Sequence, residues 1–158
     1  YFSQPFYRVE GKLNLPQGEV AVTGKAWLDR EWSSQPLSKD QTGWDWFSLH
    51  FETGAKLMGF RLRDSKDGFT SATWINPDGT TEPQAPQQLK LTALESHTVV
   101  GREIPIRWRL ELPAKNLDIE TAALNPDAWM STQIPYWEGP ARVTGSHPGI
   151  GYVEMTGY

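Results

Sequence analysis

A strict alternation of apolar and charged side chains marks the stretch IPIRWRLEL at residues 104–112. Ile104 and Trp108 fall on one side of an extended chain, whereas Arg107 and Arg109 fall on the other. This period of two predicts a β-strand that buries one face and leaves the other in water.

The same kind of pattern recurs between turn sequences rich in glycine and proline. Further strands are predicted at 6–15, 19–32, 44–52, 55–64, 68–75, 89–94, 116–124, 137–146 and 149–158. With about nine or ten strands and no amphipathic helix, the chain is predicted to be all-β, as an antiparallel barrel or a sandwich. Glycines at several bends of the Trp-rich strands favour the barrel, because small barrels need such corners. We expect residues 1–158 to form one domain.

Composition argues against several kinds of function. The net charge of −4 argues against a nucleic-acid partner, since such proteins present a basic face to the phosphates. No apolar run approaches the ~18–20 residues that span a bilayer as a helix. The absence of cysteine excludes disulfides and thiolate zinc sites. The histidines His50, His97 and His147 are too dispersed for a metal site, so we predict no metal and no cofactor.

Residues 24–51 read GKAWLDREWSSQPLSKDQTGWDWFSLHF and hold four of the eight tryptophans. Two predicted strands in this segment are joined by a polar loop at 33–43. On the first strand, Trp27, Asp29 and Glu31 share one face because they are two residues apart. These side chains could therefore converge on one ligand.

The second strand of this segment separates its acid from its tryptophans. Asp45 shares a face with Phe47, Leu49 and Phe51. The opposite face carries the remaining candidates: Trp44, Trp46 and His50. Asp45 is therefore either a strand-end residue or an acid at the edge of an apolar surface, and the second situation would favour its protonated form.

Three separated stretches, GKAWLDREW, GWDWFSLHFETGAKLMGFRLR and PYWEGPARVTGSHPGIGYVEMTGY, occur in this order. They resemble the carotenoid 1,2-hydratase (hydroxyneurosporene synthase) and AttH-like family, and the resemblance covers most of the chain. It implies a lipocalin-like (calycin) β-barrel and an apolar ligand such as a polyene or isoprenoid. It also implies a preceding N-terminal β-barrel domain of the same protein as a partner. Similar proteins look exported from bacteria, so a periplasmic or exported location is expected.

The hydration that this resemblance suggests has clear chemical requirements. A buried carboxylic acid must deliver a proton to an alkene carbon, and water then captures the tertiary carbocation. Tryptophan faces stabilise such a cation by roughly 0.5–2 kcal/mol each. The candidate catalytic acids are Asp29, Asp45 and Glu31. The candidate ligand-binding residues are Trp27, Trp32, Trp44, Trp46, His50, Tyr136 and Trp137.

Each of these residues also has a purely structural interpretation. A tryptophan in a strand is more often part of the core than part of a catalytic site. His50 could be a hydrogen-bonded structural histidine. Asp29 and Glu31 could form ion pairs with Arg30 or with the arginines of later strands, which are Arg61, Arg63, Arg107 and Arg109. Three functions therefore stay open: a module that binds an apolar ligand, part of an isoprenoid hydratase or cyclase, and a carbohydrate-binding β-sandwich.

Overall fold

The structure, a computed structural model, describes residues 1–32, 34 and 37–158. The chain divides into two compact units, Tyr1–Pro36 and Leu37–Tyr158. Of the polar loop predicted at 33–43, residues 33, 35 and 36 lie outside the described part. No helix among the described residues is long and apolar enough to cross a lipid bilayer. The prediction of one domain over the whole chain stays a prediction.

The first unit contains a two-stranded antiparallel ribbon of β1 (Phe2–Leu15) and β2 (Gly18–Arg30). A tight turn joins the strands. It ends at Gly18, whose φ of 124° suits glycine because a side chain would be strained there. Pairing then runs from Leu15 opposite Gly18 to Tyr7 opposite Ala26, and the register shifts only beyond that point. Both strands predicted in this part of the sequence are confirmed.

The second unit is one antiparallel sheet. Its strands are β3 (Gly43–Phe51), β4 (Lys56–Arg63), β5 (Phe69–Ile75), β6 (Thr81–Pro83), β7 (Lys90–Val99), β8 (Arg102–Leu112), β9 (Leu117–Ala123), β10 (Trp129–Met130), β11 (Tyr136–Gly145) and β12 (Gly149–Thr156). Nine of them follow the order β6-β5-β4-β3-β12-β11-β9-β8-β7, and β10 pairs with β11. The described residues contain no α-helix, and a 3-10 turn links β8 to β9. This half-barrel sheet confirms the predicted all-β, lipocalin-like fold.

The two edge strands of this sheet, β6 and β7, are connected by a short segment that folds inward. Gln84 and Gln87 donate main-chain hydrogen bonds to β5, so the segment continues along the sheet edge. Leu89 is 2% exposed, and a Cβ placed on Gly59 of β4 would lie 2.7 Å from the Leu89 side chain. The inner face of the sheet is therefore covered at this edge as well.

The core lies on the inner face of the sheet. In β8, Ile104, Trp108, Leu110 and Leu112 are at most 1% exposed, which confirms the predicted alternation from Arg107 onward. At the start of the strand the alternation is interrupted, because Pro105 is buried and Ile106 is only half-buried where the pairing with β7 shifts its register. Large side chains from several strands share this interior: Phe47, Leu49, Leu57, Ile119, Trp137 and Met155. The interior of a small barrel is just wide enough for such side chains.

Candidate functional site

The inner face of β3 carries one carboxylate, Asp45, among its apolar residues. The side chain is 0% exposed, because Asp45 follows the same alternation as Phe47 and Leu49. A buried charge is costly unless it is paired and hydrogen-bonded. Arg61 supplies the pairing through Nε and Nη2, at 2.9 Å and 2.8 Å from Asp45 Oδ2. The hydroxyl of Tyr158 donates to Asp45 Oδ1 at 2.7 Å.

The β3–β4 hairpin explains the first of these contacts. Its register places Arg61 directly opposite Asp45 and Arg63 opposite Gly43, so all these positions share the inner face. Arg63 Nε lies 3.6 Å from Asp45 Oδ2. A side chain at Gly43 would collide with the guanidinium of Arg63, since its Cβ would lie 2.5 Å from Nη2.

Tyr158 follows β12 and is held from several directions. The guanidinium of Arg63 lies 3.8 Å from the centre of its ring. Arg102 of β8 donates to its main-chain carbonyl oxygen. Burial raises the pKa of the Tyr158 phenol, and the neighbouring charge of Asp45 raises this pKa further. Tyr158 therefore keeps its proton and serves as a hydrogen-bond donor at neutral pH.

An aromatic wall borders the cluster. The guanidinium of Arg61 lies 5.2 Å from the centre of the Trp108 ring, and Phe47 contacts the same ring edge-to-face at 5.7 Å. Trp108 is 1% exposed. Within the described part of the chain, its indole Nε1 and Arg63 Nε are buried and find no hydrogen-bond acceptor. A buried indole N–H usually has a partner.

The cluster therefore has more hydrogen-bond donors than acceptors, and more positive charge than negative charge. Two guanidinium groups face one carboxylate, whose two oxygens already accept from Arg61 and Tyr158. Arg63 Nη2 donates to the main-chain carbonyl of Thr156 instead, which leaves its Nε without an acceptor among the described residues. The side chains of Arg61 and Arg63 are 23% and 17% exposed, so the cluster reaches from the core to the surface. Such an arrangement can donate hydrogen bonds to an oxygen atom of a ligand, especially to a negatively polarised one.

The model of the AttH-like family matches residues 1–158. This chain belongs to the AttH-like family. No curated protein matches it. Among solved structures, a crystal structure assigned as an AttH from Nitrosomonas europaea is 31% identical, with a TM-score of 0.86, over 99% of this chain and 51% of that one. Kievitone hydratase from Nectria haematococca is 21% identical, with a TM-score of 0.79, over 98% of this chain and 51% of that one.

Both solved structures are longer than this AttH-like chain, which spans about half of each. The likeness to kievitone hydratase shows a shared fold. The AttH-like part of the resemblance drawn from the sequence motifs is confirmed. Carotenoid 1,2-hydratase activity is a finer prediction that stays open.

Four of the residues predicted for the site belong to the first unit. Trp27 and Asp29 are half-buried on β2, whereas Glu31 and Trp32 follow the strand and are exposed. The hydroxyl of Ser3 donates to the carboxylate of Asp29. Trp32 is 69% exposed and contacts Phe2 edge-to-face. Their catalytic and ligand-binding roles stay predictions.

Three more predicted residues lie on the outer face of β3, opposite to the Asp45 cluster. Trp44 and Trp46 are half-buried there, and Trp44 Nε1 donates to Glu154 Oε1 at 2.7 Å. His50 lies farther along the strand, with Nδ1 3.0 Å from Lys56 Nζ. The sheet therefore separates these side chains from the buried acid, as the alternation predicted.

Tyr136 and Trp137 begin β11 and point to opposite faces. Trp137 is opposite Met155, which is opposite Asp45 on β3, so Trp137 shares the inner face. It is 1% exposed, and its indole donates to the carbonyl of Pro126 at 2.8 Å. Tyr136 is half-buried, and desolvation together with the charge of Glu138 raises the pKa of its phenol.

The sequence patterns missed four members of the cluster: Arg61, Arg63, Trp108 and Tyr158. Arg61 had a usable signal, because a hairpin with its turn near Thr53 pairs Asp45 with a residue close to Arg61. Trp108 and Tyr158 lie far along the chain and carried no comparable signal. Among the described residues, no group of three or more histidine, aspartate or glutamate side chains could hold a metal ion.

Proposed function

We propose that this AttH-like domain binds an apolar, isoprenoid- or lipid-like ligand that carries an oxygen atom at one end. The observation that supports this proposal is the unpartnered indole N–H of Trp108 beside the Asp45–Arg61 pair. A buried donor without an acceptor costs about 1–3 kcal/mol. A ligand oxygen would remove that cost, while the aromatic wall formed by Phe47 and Trp108 would contact the apolar part of the ligand.

The proposal is tested by titrating the protein with farnesol and following tryptophan fluorescence. Trp108→Phe removes the unpartnered donor and keeps most of the ring. We expect this variant to bind farnesol about tenfold more weakly, the equivalent of one hydrogen bond of about 1.4 kcal/mol. Trp137→Phe is the matched control, because its indole N–H is already bonded to Pro126. The proposal would be contradicted if Trp108→Phe bound farnesol with unchanged affinity. It would also be contradicted if the unsubstituted protein did not bind farnesol.

A second candidate function is the hydration of an alkene in such a ligand. It is favoured by the fully buried Asp45 beside aromatic rings and by the fold shared with kievitone hydratase. An acid transfers its proton to one alkene carbon, and the other carbon becomes a cation. A water oxygen then bonds to that carbon and returns a proton to the carboxylate, so the product has gained one water. Asp29 and Glu31 stay alternative acids.

Ligand binding is the better supported of the two functions, because Asp45 is held by Arg61 in the arrangement of a stable ion pair. The enzyme hypothesis is tested in ¹⁸O-labelled water by mass spectrometry of isoprenoid alkenes incubated with the protein. Asp45 would be supported as the acid if ¹⁸O enters the product with the unsubstituted protein and with Asp29→Asn, but not with Asp45→Asn. Equal incorporation by Asp45→Asn and the unsubstituted protein would remove Asp45 from the mechanism.

A further inference from the structure

The guanidinium of Arg63 carries a charge for which the cluster supplies no carboxylate of its own. Asp45 Oδ2 is held by Arg61 at 2.9 Å and 2.8 Å, whereas Arg63 Nε lies 3.6 Å away. The other contacts of Arg63 are with neutral groups, the carbonyl of Thr156 and the ring of Tyr158. Asp45 therefore balances the charge of Arg61, and one positive charge is left over.

This excess charge is held in a partly dry place. The Arg63 side chain is 17% exposed. A Cβ on Gly43 would lie 2.5 Å from Arg63 Nη2, so the guanidinium is packed against the backbone on one side and lies over the Tyr158 ring on another. Asp45 is the one carboxylate among the described residues that forms an ion pair with Arg63. Charges with so little exposure are usually paired, because removing them from water is costly.

A third guanidinium, that of Arg102, borders the same cluster. It donates to the main-chain carbonyl of Tyr158, and it lies 5.3 Å from the centre of the Trp129 ring. Arg102 is exposed, so its charge is screened by water and salt. It nevertheless adds to the positive potential at this end of the sheet, which would attract an anion from solution.

We infer that the ligand of this site is a carboxylic acid bound as its monoanion, with an isoprenoid- or lipid-like chain that ends in a carboxylate. The inference rests on the ligand site proposed above and goes beyond it, since a neutral oxygen would satisfy the Trp108 indole and leave the charge of Arg63 unbalanced. One negative charge matches the single excess charge. A carboxylate also offers two acceptor oxygens, and two buried donors of the cluster, Arg63 Nε and Trp108 Nε1, have no acceptor among the described residues. A phosphate monoester carries about −1.5 to −2 charges at neutral pH, which is more than this excess.

The inference is tested with ligands that share one carbon skeleton and differ in the charge of the head group: farnesoic acid, its uncharged methyl ester and the cation farnesylamine. Binding to the unsubstituted protein is followed by tryptophan fluorescence at neutral pH. We expect the acid to bind about tenfold more tightly than the ester, because charge-assisted hydrogen bonds are roughly twice as strong as neutral ones, and the amine to bind most weakly. Equal affinities for the acid and the ester would overturn the inference. Tighter binding of farnesyl diphosphate than of farnesoic acid would overturn its single charge.

Arg63→Met removes the excess charge and should reduce the preference for the acid over the ester to about twofold or less. Arg109→Met is the matched control, because it changes the net charge by the same amount on the outer face of β8, where Arg109 pairs with Asp118 at 2.8 Å. This control should keep the preference of the unsubstituted protein. Equal effects of the two variants would assign the preference to the net charge of the chain and overturn the inference.

Farnesol separates this inference from the proposed function. Because farnesol is neutral, Arg63→Met should still bind it through the Trp108 donor, which also shows that the variant is folded. If that variant does not fold, the comparison of acid and ester in the unsubstituted protein still decides. Binding of farnesol that Trp108→Phe weakens, together with equal affinities for the acid and the ester, would leave the proposed ligand site standing and remove its preference for an anion. No binding of any of these ligands would overturn both.

Discussion

Replacing Arg61 with methionine removes the main partner of a carboxylate that has no exposure to water. Asp45 would lose a hydrogen bond from Nε at 2.9 Å and an ion-pair contact with Nη2 at 2.8 Å, and would keep the Tyr158 hydroxyl and the more distant Arg63. Breaking a buried ion pair on one side costs about 3–5 kcal/mol. We expect a loss of about 3 kcal/mol, at the low end of that range, because Arg61 itself is 23% exposed and Arg63 still faces the carboxylate.

Urea unfolding followed by tryptophan fluorescence measures this loss. With an m-value of about 1–3 kcal/mol per M, the midpoint should fall by roughly 1–3 M. Arg109→Met is the matched control: Arg109 also contacts a carboxylate, Asp118, through Nε and Nη2 at 2.8 Å, but both side chains are largely exposed. Such a surface pair contributes about 0–1 kcal/mol.

The comparison also identifies the cause of the loss. If the cost arises from leaving Asp45 unpaired, then Asp45→Asn combined with Arg61→Met should destabilise the protein by less than the sum of the two single variants. The two variants Arg61→Met and Arg109→Met could instead lower the free energy of unfolding by amounts within about 0.5 kcal/mol of each other, the usual scatter for surface substitutions. That result would refute the assignment of Asp45 as a buried, paired charge.

Three further predictions concern the surroundings of this cluster and the edge of the sheet. Gly43→Ala should destabilise the protein by about 1–3 kcal/mol through overpacking, whereas Gly11→Ala, with nothing within 4 Å of its Cβ, should be tolerated in the same urea assay. Because burial raises the pKa of Tyr158 in the folded protein, its contribution to stability is complete below the ordinary tyrosine value of 10.0 and is lost as the pH rises above it. Between pH 8 and pH 11, the free energy of unfolding should therefore fall less for Tyr158→Phe than for the unsubstituted protein. Equal decreases in the two proteins would contradict this prediction. Lys115→Met removes the 2.6 Å ion pair with Glu82 that links the turn after β8 to edge strand β6. Since Glu82 is half-exposed, we expect the free energy of unfolding to fall by less than about 1 kcal/mol. In the unsubstituted protein, 1 M NaCl should reduce the contribution of this ion pair further.

Local sequence patterns predicted much of the fold. The alternation in β8 identified the buried side chains from Arg107 onward, and the alternation in β3 placed Asp45 with Phe47 and separated it from Trp44. These predictions succeed because side chains of a strand point to opposite faces in turn, whatever the neighbouring strands are.

The concentration of tryptophan in residues 24–51 was a weaker guide. None of its four tryptophans is among the buried core residues, whereas Trp74, Trp108 and Trp137 are. Trp44 and Trp46 alternate with the inward residues of β3 and therefore lie on its outer face. Counting aromatic residues does not reveal which face they occupy, so the ligand-binding roles assigned to these four stay predictions.

The sequence by itself determined the all-β class, most of the strand alternation and the face of β3 that carries Asp45, because these depend on neighbours within a strand or a hairpin. Only the tertiary structure decided which groups surround that acid. Tyr158 lies 113 positions beyond Asp45 and reaches it because β12 pairs with β3. Trp108 reaches Arg61 across the curved interior. The order and curvature of the strands set such distances, and no local pattern in the chain records them.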